Sequence, residues 1–220
     1  MACIALESEQ TKRHALVEGQ VQRYEGQEVE SRAIGIETRP RPCPGLVLCY
    51  GTFGFGYIVP ATFLPVMAQQ LVSDPLVFGL TWPLFGLAAA LSVGVAARWL
   101  AGWPRRRVWA LAQSTMALGT ALPLLGETLW ILAASAILVG GTFMVTTMAG
   151  LQLAREFAPA NPTPLLARMT AAFAAGQISG PLLVRLLSFS DSTGLDALGW
   201  ASAAATLLLV LSAVWLWHDV

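Results

Sequence analysis

The side chains that most often perform enzyme chemistry are scarce in this sequence and are widely separated. The two histidines, His14 and His218, lie outside every long apolar run, and no acidic residue lies well inside one. The cysteines have no metal-ligand spacing: Cys3, Cys43 and Cys49. Metal centres and activated nucleophiles need several such groups close together. We therefore expect inert thiols, no metal site, no cofactor and no enzymatic activity.

Hydroxyl, amide and indole groups do lie inside the apolar runs, and such groups bind a solute by hydrogen bonds. The candidates for contacts along a substrate pathway are Tyr57, Thr62, Trp82, Thr142, Thr146 and Gln177. Each has a structural alternative. A threonine hydroxyl inside a membrane helix usually bonds its own backbone, which we favour for Thr142 and Thr146. Gln177 could bond a neighbouring helix, and Trp82 could serve packing alone.

Glycines and prolines interrupt the same runs at positions where a helix could bend. The hinge candidates are Gly54, Gly56, Pro60, Pro65, Pro83 and Pro181. Backbone groups that a proline frees at membrane depth are tolerated only against protein or a water-filled cavity. The alternative is that glycines merely allow close helix packing. We favour a bending helix for the first run, because its glycines and prolines together exceed what packing requires.

The composition identifies the elements that must position these groups. The chain has 220 residues, of which 55% are hydrophobic and only 12% are charged, with a mean hydropathy of +0.62. Soluble domains carry roughly 25% charged residues, so a soluble globular domain is excluded. The lipid bilayer is the expected partner. The formal net charge of zero gives no indication of a nucleic-acid partner.

Six apolar runs follow a polar segment, and each has about the 20 residues that a helix needs to cross a bilayer. Barrel strands would be shorter and would alternate. The runs are 45–71, 76–100, 107–125, 129–154, 165–189 and 196–217. The sequence therefore predicts an all-α membrane protein with six transmembrane helices in residues 45–220. Residues 1–44 hold seven glutamates and six basic residues, which indicates a mobile polar tail or linker.

The arginines predict the orientation in the membrane. Eight of them lie on the side of residues 1–44, whereas only Arg185 lies near the opposite side. Positive charge accumulates on the cytoplasmic side of a membrane. We expect a multi-pass inner (plasma) membrane protein with both termini in the cytoplasm. Arg185 itself, the only charge well within a run, either extends to the outer headgroups, which we favour, or binds an anion.

Three segments of this sequence resemble a known family. The stretch CYGTFGFGYIVPATFLP (49–65) is similar to the seventh span of the YbfB/YjiJ branch of the major facilitator superfamily (MFS). RRRVWA (105–110) is similar to the start of its ninth span, and GQISGP (176–181) to its eleventh. The resemblance covers roughly residues 45–217 and implies the C-terminal six-helix half of such a bacterial transporter.

That resemblance implies transport of a small solute by alternating access, together with a second six-span half or a homodimer partner. Runs one, two, four and five would border the central cavity. The cytoplasmic gating loop would contain Arg98, Gly102, Arg105, Arg106 and Arg107, although the aspartate of the family's loop signature is missing. The alternative is a truncated inactive product or a membrane scaffold that assembles with a partner.

Overall fold

A computed structural model describes residues 18, 19, 22, 43–72, 74, 79–126, 128–188 and 197–218. The chain divides into two units, Met1–Arg41 and Pro42–Val220. In the first unit only Glu18, Gly19 and Gln22 are described, and they are helical. The predicted mobility of the tail concerns residues that lie almost entirely outside the described ones.

Each of the six predicted apolar runs forms one helix, and the described residues include no strand. The bounds differ from the predicted ones by only a few residues at most ends. The helices are α1 (Pro44–Leu71), α2 (Thr81–Trp99), α3 (Arg105–Ala121), α4 (Leu129–Phe157), α5 (Thr163–Ser188) and α6 (Ala197–His218). The predicted all-α class is thus confirmed. Residues 75–78, where the second run was expected to begin, lie outside the described residues.

Five of these helices are long and apolar enough to cross a membrane, and α3 is the exception. Its 17 residues begin with three consecutive arginines, which lower its hydropathy and shorten its apolar part. A 3-10 turn, Leu122–Leu124, follows α3 directly. The combined segment Arg105–Leu124 has about the length that a membrane crossing requires.

Contacts between the helices give the relative directions of α1, α4 and α5. Gly51 of α1 lies against Ala172 of α5, and Ile58 lies against Gly180 further along both helices, so α1 and α5 are parallel. Tyr50 instead lies against Gly150, whereas Tyr57 packs on the earlier residue Phe143 of α4. Helices α1 and α4 are therefore antiparallel.

The helices form a row of four with two helices behind it. Helix α1 packs against α4 and α5, and α2 packs against the other side of α4. Helices α3 and α6 pack on each other; α3 also contacts α4, and α6 contacts α1 and α5. The described parts of α2 and α5 make no contact with each other. Helices α3 and α6 therefore cover one face of the row α2–α4–α1–α5 and leave its other face open.

Glycines allow the close approach of α1 and α5. A Cβ on Gly54 would clash with the backbone carbonyl of Phe173, and a Cβ on Gly176 would clash with the carbonyl of Gly51. Close helix packing through small residues is the usual way in which membrane helices associate. Gly54 and Gly176 therefore allow close packing at the α1–α5 contact, and the hinge role of Gly54 stays a prediction.

Candidate functional site

Five aromatic side chains from four helices meet in the row, and we call them the aromatic cluster. Tyr57 of α1 and Phe143 of α4 are at its centre, with ring centroids 4.4 Å apart. Phe85 of α2 lies 5.9 Å from Tyr57 on one side, and Phe173 of α5 lies 6.4 Å from it on the other. Trp82 extends the cluster, 6.1 Å from Phe85.

The aromatic cluster continues into the core toward the start of α1. Phe53, one turn before Tyr57, is fully buried and lies 5.6 Å from Phe143 and 5.1 Å from Phe173. By contrast, Tyr57, Phe143 and Phe173 are only half-buried, and Trp82 is 54% exposed. The cluster is therefore anchored on buried rings and presents partly uncovered rings at its other side.

Three of the predicted pathway residues lie in or beside this cluster. Tyr57 is at its centre and Trp82 at its edge. Trp82 is the second residue of α2 as described, and residues 75–78, where the second run was expected to begin, lie outside the described residues. Gln177 is half-buried and follows Phe173 by one helical turn, which places both side chains on the same side of α5.

The three threonines differ from one another. The Thr142 hydroxyl donates to the carbonyl of Leu138, 2.7 Å away, so the back-bonding interpretation is correct for this residue. The Thr146 side chain is fully buried, and its hydroxyl has no hydrogen-bond partner among the described residues. Thr62 is exposed, and its position five residues after Tyr57 turns it away from the Tyr57 side of α1.

The hinge candidates occupy different kinds of position. Pro60 and Pro65 lie inside α1, and Pro181 lies inside α5, so each removes one backbone hydrogen bond there. Pro83 is the third residue of α2, and residue 79 before that helix is also helical. Residues 75–78 lie outside the described residues, so the kink at Pro83 stays a prediction. Gly56, the remaining candidate, packs against the Leu209 side chain.

The structure adds a polar contact that sequence reasoning missed, and we call it the Gln113 node. The Gln113 amide of α3 is fully buried and donates to the hydroxyl of Ser212 in α6. It also lies 3.3 Å from the Thr52 hydroxyl and 3.5 Å from the Cys49 carbonyl in α1. An amide inside an apolar run was the signal, because such a group needs partners from neighbouring helices.

The predicted gating-loop residues lie at the ends of α2 and α3. Arg98 is in the last turn of α2, and Gly102 is exposed in the connection. Arg105 begins α3. The guanidinium of Arg106 lies 4.9 Å above the Trp215 ring, and that of Arg107 lies 5.9 Å above the Trp217 ring. Both are cation–π contacts, which hold the start of α3 against the end of α6.

The described residues of the aromatic cluster and the Gln113 node include no charged group. The basic residues of the row lie toward helix ends, and Arg185 is exposed three residues before α5 ends. Among the described residues no group of three or more histidine, cysteine or acidic side chains could hold a metal ion. The arrangement offers ring faces, hydroxyls and amides.

The sequence was compared with protein families, curated proteins and solved structures. The family model described as "Uncharacterised MFS-type transporter YbfB" matches residues 20–216. This match extends further toward the N-terminus than the resemblance over residues 45–217, because it includes residues 20–44. No curated protein and no solved structure matches the chain.

Proposed function

Because the chain belongs to the YbfB-type family of major facilitator superfamily transporters, we propose that it is a six-helix unit that moves a small solute across the bacterial inner membrane. The family match carries this proposal, and with its apolar helices the chain is a multi-pass membrane protein.

The open face of the row α2–α4–α1–α5 is the proposed wall of the substrate pathway. It holds the partly uncovered rings of Tyr57, Phe143 and Phe173, with Gln177 one turn further along α5. Ligand sites are mostly apolar and aromatic, with a few polar groups that fix orientation. Helices α3 and α6 would pack against the other face of the row and would hold α1 in place through the Gln113 node.

A second six-helix unit would supply the opposite wall. The two outer helices of the row carry exposed apolar stripes with the four-residue spacing of one helix face. On α2 the stripe is Leu87, Leu91 and Val95, and on α5 it is Ile178, Leu182 and Leu186. Transporters with two related halves bind the solute between them. We propose that these stripes contact the second unit, which is another six-span segment or a second copy of this chain.

Alternating access would then arise from one unit rocking against the other. The two prolines inside α1 and the one inside α5 weaken the backbone ladder on the two helices that contribute Tyr57 and Phe173. We propose that these prolines, Pro60, Pro65 and Pro181, let the wall bend during the cycle. The starts of α1 and α3 would face the cytoplasm, since the arginines accumulate at that end.

Entrance counterflow in proteoliposomes tests transport without knowledge of the coupling ion. Vesicles that contain the full chain are loaded with an unlabelled organic solute, and the uptake of the same labelled solute is followed for a panel of cations, anions and neutral compounds. We expect transient accumulation for at least one solute. We also expect the variant Tyr57→Leu to reduce this accumulation, because Tyr57 is at the centre of the proposed wall.

Trp130→Leu is the matched control, because Trp130 is 84% exposed and lies at the start of α4, away from the aromatic cluster. It should leave counterflow unchanged. If neither the chain alone nor the chain co-reconstituted with a six-span partner accumulates any solute of the panel above protein-free vesicles, the transport proposal is wrong.

A further inference from the structure

We infer that the aromatic cluster binds hydrophobic organic cations, such as quaternary ammonium or phosphonium compounds. This inference names the substrate class of the proposed wall, and it therefore rests on the proposed transport function. Two observations support it: the geometry of the rings, and the absence of charged side chains from the described residues of the cluster.

Most ring pairs of the cluster are tilted against each other rather than stacked. Tyr57 and Phe143 are inclined by 32°, and Phe85 is inclined by 56° to Tyr57. Tyr57, Phe143 and Phe173 are each only half-buried in the described structure. Ring surface from three helices is thus left uncovered on the open face of the row. Phe53 fixes the base of the cluster because it is fully buried beneath Phe143 and Phe173.

Aromatic ring faces carry a negative potential that attracts cations. The uncovered rings compete with no basic side chain in the described part of the cluster. Among the described basic residues, Arg168 lies nearest along the cluster helices, and it precedes Phe173 by five residues. It therefore lies roughly 8 Å further along α5 and on another side of that helix. The faces of these rings would repel an anion.

The surroundings of the cluster also favour a weakly hydrated cation over a small inorganic one. No carboxylate from the described residues belongs to the cluster, so a small ion would lose its hydration shell without a charged replacement ligand. A large organic cation keeps its apolar substituents against the rings and its charge near their faces. Desolvated contacts of this kind are the strongest cation–π interactions.

Binding of two probes with the same shape and opposite charge tests the inference. Tetraphenylphosphonium, tetraphenylborate and the neutral triphenylphosphine oxide are measured by equilibrium dialysis against the full chain in detergent. Detergent takes up all three probes. Only ring-dependent binding is therefore counted, which is the difference between the unchanged chain and the variant Tyr57→Leu or Phe143→Leu. We expect this ring-dependent binding to be about tenfold or more tighter for the phosphonium ion than for the borate ion.

Loss of one ring should weaken phosphonium binding by roughly threefold to thirtyfold, the range for one cation–ring contact. Tyr57→Phe keeps the ring and should change binding by less than about twofold, as should Phe157→Leu, which removes an exposed ring at the end of α4. Fluorinated phenylalanine at position 143 preserves shape and should weaken binding stepwise with each added fluorine. This series remains informative even if Phe143→Leu does not fold.

Equal or tighter ring-dependent binding of the borate ion overturns the inference, and so does equal binding of the neutral probe. Ring loss or fluorination without effect on phosphonium binding overturns it as well. Counterflow of another solute without phosphonium binding would refute the substrate class and leave transport intact. Ring-dependent phosphonium binding without any counterflow would refute transport and leave the cation site intact.

Discussion

The contact between α1 and α5 makes the sharpest prediction about stability. Gly176 lies so close to α1 that an added Cβ would clash with the Gly51 carbonyl and would lie 2.8 Å from the Phe55 amide nitrogen. Ordinary van der Waals contact begins near 3.4 Å. The substitution Gly176→Ala must therefore separate the helices by at least about 0.6 Å, because both obstacles are backbone atoms that cannot rotate away.

Overpacking of this kind costs about 1–3 kcal/mol. Replacement of glycine by alanine stabilises a helix by up to about 1 kcal/mol. Because rigid backbone blocks the new methyl group, we expect a net loss of about 1–2 kcal/mol in the free energy of unfolding. For a domain of this size that loss lowers the Tm by roughly 2–8 °C.

The assay is thermal unfolding of the purified full chain in detergent, followed by intrinsic fluorescence or by the loss of a monodisperse elution peak. Gly86→Ala is the matched control, because nothing lies within 4 Å of a Cβ at that position of α2. The control should leave the Tm unchanged or raise it. If Gly176→Ala and Gly86→Ala give the same Tm, the close approach of α1 and α5 is refuted.

Three further predictions concern polar residues and topology. Gln113→Leu should lower the free energy of unfolding by about 1–2 kcal/mol, since hydrogen bonds between membrane helices each contribute at most about 1.7 kcal/mol; no change in thermal unfolding would contradict the Gln113 node. Thr146→Val should leave the Tm unchanged or raise it, because it removes a buried hydroxyl without a described partner; a clearly lower Tm would show that this hydroxyl is bonded. In a cysteine-free chain, Gly102→Cys should resist a membrane-impermeant maleimide in intact cells, whereas Asp74→Cys should react; the opposite pattern would reverse the proposed orientation.

The Gln113 node has a consequence for how the wall could move. It joins α3 and α6 to α1 at Thr52, just before Gly54 and one turn before Gly56. Pro60 and Pro65 follow later in the same helix. The start of α1 is thus fixed to the two rear helices, whereas its second half contains both interior prolines. Val59 in that half also packs with Ala201 and Ala205 of α6, so a bend at these prolines would have to disturb this contact.

Much of the fold could be predicted because it depends on local composition. Six apolar runs of sufficient length have only one low-energy state in lipid, the helix, since every backbone group must be satisfied internally. The polar connections between the runs therefore predicted where the helices end. The hydropathy of α3 was harder to judge, because its three arginines are within the helix rather than before it.

The candidate site could be predicted only in part. Tyr57 was found because a tyrosine within a glycine-rich apolar run is conspicuous. Phe143 and Phe173 were missed, since a phenylalanine in an apolar run gives no signal until its neighbours are known. Gln113 carried a signal, an amide within an apolar run, but its partners lie 61 and 99 residues away in sequence.

Composition and the length of the apolar runs by themselves therefore determined that this chain is an all-α membrane protein with six helices between residues 43 and 218 of its described part, because burial in lipid constrains each segment separately. The sequence motifs also indicated its family. Only the tertiary structure decided which glycines serve packing, which hydroxyls bond their own helix and which rings share one face. Those properties depend on contacts between helices that are distant in sequence, and no local pattern encodes which faces meet.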